Sequence, residues 1–73
     1  MKIGKKYIAI QIIEPDVYGE ETVGWYAGTD EYDWVLLLEE EDYHTPDAFD
    51  PKFNKFFEWD ELGEYTKDKE VKP

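Results

Sequence analysis

Pro51-Lys52-Phe53-Asn54-Lys55-Phe56-Phe57-Glu58-Trp59-Asp60-Glu61-Leu62 is the stretch on which the fold class turns. Asp50 ahead of Pro51 couples a good N-cap residue to proline at the first helical position. Phe53, Phe56 and Phe57 recur at helical spacing, and Gly63 is a natural C-terminal stop. This pattern predicts a helix from about Pro51 to Leu62. Asp60 falls inside the apolar stripe, and Phe57 and Trp59 alternate as a strand would, which is the competing reading. Thr45-Pro46 repeats the cap-then-proline signal. Pro51 would break a helix begun there, so a short turn is expected first.

Upstream the pattern is extended. Tyr7 to Ile13 places Ile8, Ile10 and Ile12 on one face and Tyr7, Ala9, Gln11 and Ile13 on the other, with β-branched content that favours a strand. Glu14 to Glu21 ends this strand and reads as a hairpin loop. Thr22 to Ala27 resumes the alternation, and Gly28-Thr29-Asp30 is a turn signal. Trp34-Val35-Leu36-Leu37-Leu38 is apolar on both faces, as a doubly covered central strand would be. The expected fold is α+β: a small three-stranded antiparallel meander with one C-terminal helix, four-stranded if the Phe57–Trp59 alternation is read as a strand. Residues 1–64 form one domain in this reading, and 65–73 a charged, flexible tail.

The chain has 73 residues and a formal net charge of −11, from 19 Asp and Glu against 8 Lys. That length allows one core. Aromatic residues make up 18%, which separates the chain from acidic disordered segments, since those lack the rings to offset the entropy of ordering. A charge of −11 opposes direct binding to nucleic acid or anionic membranes. With no Cys there is no disulfide framework and no thiolate chemistry. The apolar run after Lys5-Lys6 is interrupted by Gln11 and followed by Glu14-Pro15-Asp16, so it reads as a strand and not as a secretion signal. No stretch approaches a membrane span, and a cytoplasmic location is expected.

The charges are sorted along the chain. Lys2, Lys5 and Lys6 precede Tyr7, and Lys52, Lys55, Lys67, Lys69 and Lys72 follow Pro51. Between them lie Glu14, Asp16, Glu20, Glu21, Asp30, Glu31, Asp33, Glu39, Glu40, Glu41, Asp42, Asp47 and Asp50, with no cation except the lone His44. Ordinary soluble surfaces intersperse the two signs. If these acids gather on a third of a surface of roughly 4,700 Å², each occupies roughly 120 Å². Duplex DNA carries about one charge per 110 Å² of its cylinder. The expectation is a non-enzymatic inhibitor that presents a nucleic-acid-like face to the basic groove of a DNA- or RNA-handling protein, where Arg and Lys would make charge-assisted contacts. In charge and size the chain resembles the small acidic DNA-mimic inhibitors that phages encode against restriction, CRISPR or repair enzymes. The resemblance is to a functional class, and no motif carries residue roles across. The competing reading is a small acidic interaction module that binds through loop aromatics or a sheet edge, its charge serving solubility.

The residues expected to contact a partner are Glu20, Glu21, Asp30, Glu31, Asp33, Glu39, Glu40, Glu41 and Asp42, with Tyr18, Tyr32 and Tyr43 in the acidic loops. A ring flanked by carboxylates suits Arg stacking. Trp25, Trp34, Phe53, Phe56 and Phe57 are the expected core. The runs at Asp30–Asp33 and Glu39–Asp42 lack the ligand alternation and central Gly of a calcium loop, so neither a metal nor a cofactor is expected. Without Ser or Cys, and with one His, no nucleophilic constellation is available, and no catalytic residue is assigned. An exposed sheet edge would allow a weak homodimer, opposed by the charge; otherwise the chain is a monomer.

Overall fold

The computed structural model describes residues 1–40, 44–59 and 70–72. They form one antiparallel sheet of six strands: β1 (Lys6–Glu14), β2 (Val17–Thr29), β3 (Val35–Leu38), β4 (Asp47–Phe49), β5 (Asn54–Glu58) and β6 (Glu70–Val71). The strand order is β4-β3-β2-β1-β5-β6. β1 is the centre because its alternation is apolar on both sides. Tyr7, Ile8, Ala9 and Ile10 are all buried. Ala9 packs with Val35, Leu37 and Phe56 on one face, while Ile8 and Ile10 pack with Phe57 on the other.

The sheet is sharply curled, and chain closure requires it. Phe49 pairs with Val35, which pairs with Thr29 at the far end of β2. Asn54 pairs with Gln11, whose side chain accepts from the Glu20 amide near the other end. On a flat sheet, Phe49 and Asn54 would lie roughly 30 Å apart along the strands and about 19 Å across them. The chain from Phe49 to Asn54 spans at most about 18 Å. Curling also explains why Phe49 of β4 and Val71 of β6, near opposite edges, pack against the same cluster. Gly24 sits where β3 meets β2. A Cβ there would come within 2.8 Å of the Leu38 carbonyl oxygen, so only glycine fits this approach.

The expected C-terminal helix is not formed among the described residues, and the fold is all-β rather than α+β. The Asp50-Pro51 signal does start a turn. The Asp50 carboxylate accepts from the Lys52 amide (2.9 Å), and its carbonyl accepts from the Phe53 amide (3.0 Å) and the Asn54 side chain (3.0 Å). One turn later the chain extends as β5. A helix would put Phe56 and Phe57 on one face and leave the second edge of β1 open. As a strand, the segment pairs from Tyr7↔Glu58 to Gln11↔Asn54 and buries Phe56 and Phe57 on opposite faces. Residues 60–62 of the expected helix lie outside the described residues, as does most of the expected tail; Glu70 and Val71 pair with β5.

The hairpin loop expected from Glu14 to Glu21 shrinks to Pro15-Asp16, because β2 pairs with β1 as far as Glu14↔Val17. Asp16 takes φ 63, a conformation Asp tolerates in turns. Of Trp34–Leu38, expected as a doubly covered central strand, Val35–Leu38 form a short strand between β2 and β4 that alternates, with Val35 and Leu37 buried and Leu36 and Leu38 half-buried. Of the expected core, only Phe56 and Phe57 are buried; Trp25 is half-buried, and Trp34 and Phe53 are exposed. Among the described residues, no helix is long and apolar enough to cross a membrane.

Candidate acidic interface

Strand order converts the sorting of charge along the chain into sorting across the sheet. β2, β3 and β4 with their connecting loops occupy one half and contain no lysine. The described lysines lie elsewhere: Lys2 and Lys5 before β1, Lys6 on β1, Lys52 in the turn before β5, Lys55 on β5 and Lys72 after β6. Glu14, Asp16, Glu20, Glu21, Glu31, Asp33, Glu39, Glu40 and Asp47 are all exposed, and among the described residues no charged side chain is buried. Along the strands the described acids run from the β1–β2 hairpin through Glu20 and Glu21 of β2 to the β2–β3 loop.

The expected partner-contacting residues fall into distinct settings. Glu20 and Glu21 lie on β2, where Glu21 is in register with Ile10. Glu39 and Glu40 do not extend β3 as a strand would; the chain bends as soon as β3 ends at Leu38. Glu41, Asp42 and Tyr43 lie outside the described residues. Asp30 holds its own loop together. Its Oδ1 accepts from the Tyr32 and Trp34 amides, both at 2.9 Å, and its carbonyl accepts from the Asp33 amide at 3.1 Å. The Asp30 amide in turn donates to the Trp34 carbonyl at 3.1 Å. This clasp fixes Glu31, Tyr32 and Asp33 at the tip, with Asp33 at φ 62.

The rings divide in the same way. Tyr18 on β2 is occupied within the molecule. Lys55 Nζ lies 5.5 Å from its ring centroid and donates to its hydroxyl at 3.2 Å. That hydrogen bond is the main cause holding the Lys55 pKa above its usual value; the nearby Tyr18, Glu70 and Asp16 charges add to it, and partial desolvation opposes it. Lys6 lies over Trp25 at 4.8 Å and over Trp59 at 5.9 Å. Tyr32 is 71% exposed and Trp34 38%, their centroids 6.2 Å apart with planes at 51°. Among the described residues, no lysine lies over either ring.

Trp34, like Phe53, is misplaced by the sequence reading, since its apolar neighbours Val35 to Leu38 drew it into the core. The signal that would have found it is its position directly after Asp33, at the last step of an Asp-initiated loop. Among the described residues, no three His, Asp or Glu side chains converge as metal ligands would. No protein-family model, curated protein or solved structure matches the chain.

Proposed function

We propose that this protein is a non-enzymatic inhibitor or regulator that offers a nucleic-acid-like band of carboxylates to the basic groove of a DNA- or RNA-handling protein, within the cytoplasm of the cell in which it acts. The observation that carries the reading is the half-sheet of three adjacent strands with exposed acids and no lysine. Such a surface is costly for a small domain, because like charges repel through a molecule of only 33 × 31 × 18 Å. A basic groove would offset that cost by pairing its Arg and Lys with the band and releasing counterions on both sides. The proposed role resembles that of phage-type inhibitors of restriction, CRISPR, repair or transcription enzymes. It acts as a monomer in this reading, because two copies at −11 repel.

The exposed Tyr32–Trp34 pair favours a second reading, an interaction module in which rings make the contact and charge serves solubility alone. Salt separates the two. The protein is immobilised and incubated with nuclease-treated host lysate at low salt. The decoy reading expects retention of a nucleic-acid-binding protein that elutes in about 1 M salt, where the Debye length falls to about 3 Å. Added duplex DNA or structured RNA should compete for it. A Glu31→Gln, Asp33→Asn, Glu39→Gln, Glu40→Gln variant should lose the partner while keeping its circular-dichroism spectrum. Undiminished retention by that folded variant would sink the electrostatic mechanism.

A further inference from the structure

We infer that the Tyr32–Trp34 ring pair is the docking point for an arginine side chain of the basic partner, an inference that rests on the decoy reading above. The fold itself displays the chemistry. At two other places a ring on this sheet is covered by a cation from the same chain: Lys6 over Trp25 and Trp59, and Lys55 over Tyr18. Both cations come from the β1-β5 side. The β2–β3 loop lies beyond that half, and the stretch from Tyr7 to Pro51 that contains it has no lysine. The Tyr32–Trp34 pair therefore has the same ring surface, in a more acidic setting, with no cation of its own among the described residues. A cation for these rings is therefore sought on another molecule, since the described lysines Lys6 and Lys55 are placed over other rings.

Three features select arginine. A guanidinium is planar and weakly hydrated, so it stacks on exposed rings while its edge donates to carboxylates, which a compact ammonium does less well. Glu31 and Asp33 flank Tyr32 in sequence, and both are exposed. The Asp30 clasp sets the backbone of the loop before binding, so little ordering entropy is lost on contact. Tyr32 is thus distinguished from Tyr18, whose ring and hydroxyl are already engaged by Lys55.

The test uses the full chain with oligo-arginine and oligo-lysine peptides of equal length, at low salt, followed by titration and by NMR. The chain has three Trp, so three indole N–H signals report on separate places. Oligo-arginine should shift the Trp34 indole signal and leave those of Trp25 and Trp59 in place. Tyr32→Leu keeps apolar bulk and removes the ring; it should weaken oligo-arginine binding by about 2- to 5-fold. Its effect on oligo-lysine binding should be smaller. If both peptides bind but Tyr32→Leu changes neither and the Trp34 signal stays fixed, the docking point is wrong while the acidic band stands. If neither peptide binds the wild-type chain, the decoy reading falls and takes the docking point with it.

Discussion

The two halves of the sheet differ in what they bury and what they expose. The β1-β5-β6 half holds most of the core, with Tyr7, Ile8, Ala9 and Ile10 on β1 and Phe56 and Phe57 on β5. It also holds the cations: Lys5 reaches Glu58 at 2.9 Å, Lys6 covers Trp25 and Trp59, and Lys55 covers Tyr18. Among the described residues, the β2-β3-β4 half contributes Val35 and Leu37 to the fully buried hydrophobic side chains and presents acids and exposed rings outward. Stability and display are thereby separated. The lysine-free strands are anchored to a half in which Lys5 pairs with Glu58 and Lys6 and Lys55 lie over rings, which is the arrangement expected if the acids serve recognition and the rest serves folding.

The largest expected effect tests where stability resides. Phe56 is 1% exposed in the main cluster, whereas Phe53, one turn earlier in the chain, is 61% exposed. Phe56→Ala should cost about 3–5 kcal/mol, enough to unfold much of a domain this small. Phe53→Ala should stay within about 0.5 kcal/mol. Urea denaturation of both variants checks the difference. Comparable losses would mean that the Asp50–Phe53 turn packs as a helix would, and that the division of labour between the halves is misdrawn.

That pair of residues also marks how far the sequence was legible. The adjacent antiparallel strands β1, β2 and β3 could be read between Tyr7 and Leu38, the first two from period-two alternation and the third from its apolar run, because both signals are local. The switch at Asn54 could not. Phe53, Phe56 and Phe57 satisfy a helical stripe as well as a strand, and what decides between them is the second edge of β1, more than 40 residues away in the chain. The register Ile8↔Phe57 and Ala9↔Phe56 leaves no local trace. For the site, the absence of lysine from β2, β3 and β4 was legible, since these strands are adjacent in the sheet. The roles of individual residues were not. Asp30 reads as one more acid until its hydrogen bonds to the Tyr32 and Trp34 amides are seen, and Tyr18 reads like Tyr32 until Lys55 is found over its ring.

A smaller effect would sharpen the charge contrast. In about 0.01 M salt the Debye length is about 30 Å, comparable to the whole molecule, and every acid in the band repels every other. Near 0.15 M it falls to about 8 Å, and only neighbours are felt. The melting temperature should therefore rise over this range. Glu31→Gln, Glu39→Gln, Glu40→Gln should raise the low-salt value and flatten its salt dependence. Neutralising Lys6 and Lys55 to Gln should lower the low-salt value and steepen that dependence. A wild-type melting temperature that is flat or falls with salt would mean that the acids are already balanced within the fold, and the contrast between the halves would lose its energetic content.

The smallest expected effect lies at high pH and concerns the cationic half alone. The Lys5 ammonium donates to Glu58, and that hydrogen bond, helped by the charges of Glu58 and Tyr7 against a little desolvation, raises its pKa above the usual 10.5. Lys55 is raised in the same direction, chiefly by its hydrogen bond to Tyr18. A folded-state pKa above the unfolded one means that the folded state holds the proton more tightly. The resulting stability is fully present below pH about 10.5 and is lost as pH rises through the folded value. Both side chains are solvent-exposed enough for water and salt to screen the effect, so the loss should be slight and should shrink further in salt. Alkaline melting curves of the wild type against Lys5→Gln, Lys55→Gln would isolate it: the wild type should lose stability more steeply above pH 10.5 than the double variant does. Parallel curves would show that these contacts are too weak to set the two halves apart, leaving the burial of Phe56 and its neighbours as the only asymmetry that matters for folding.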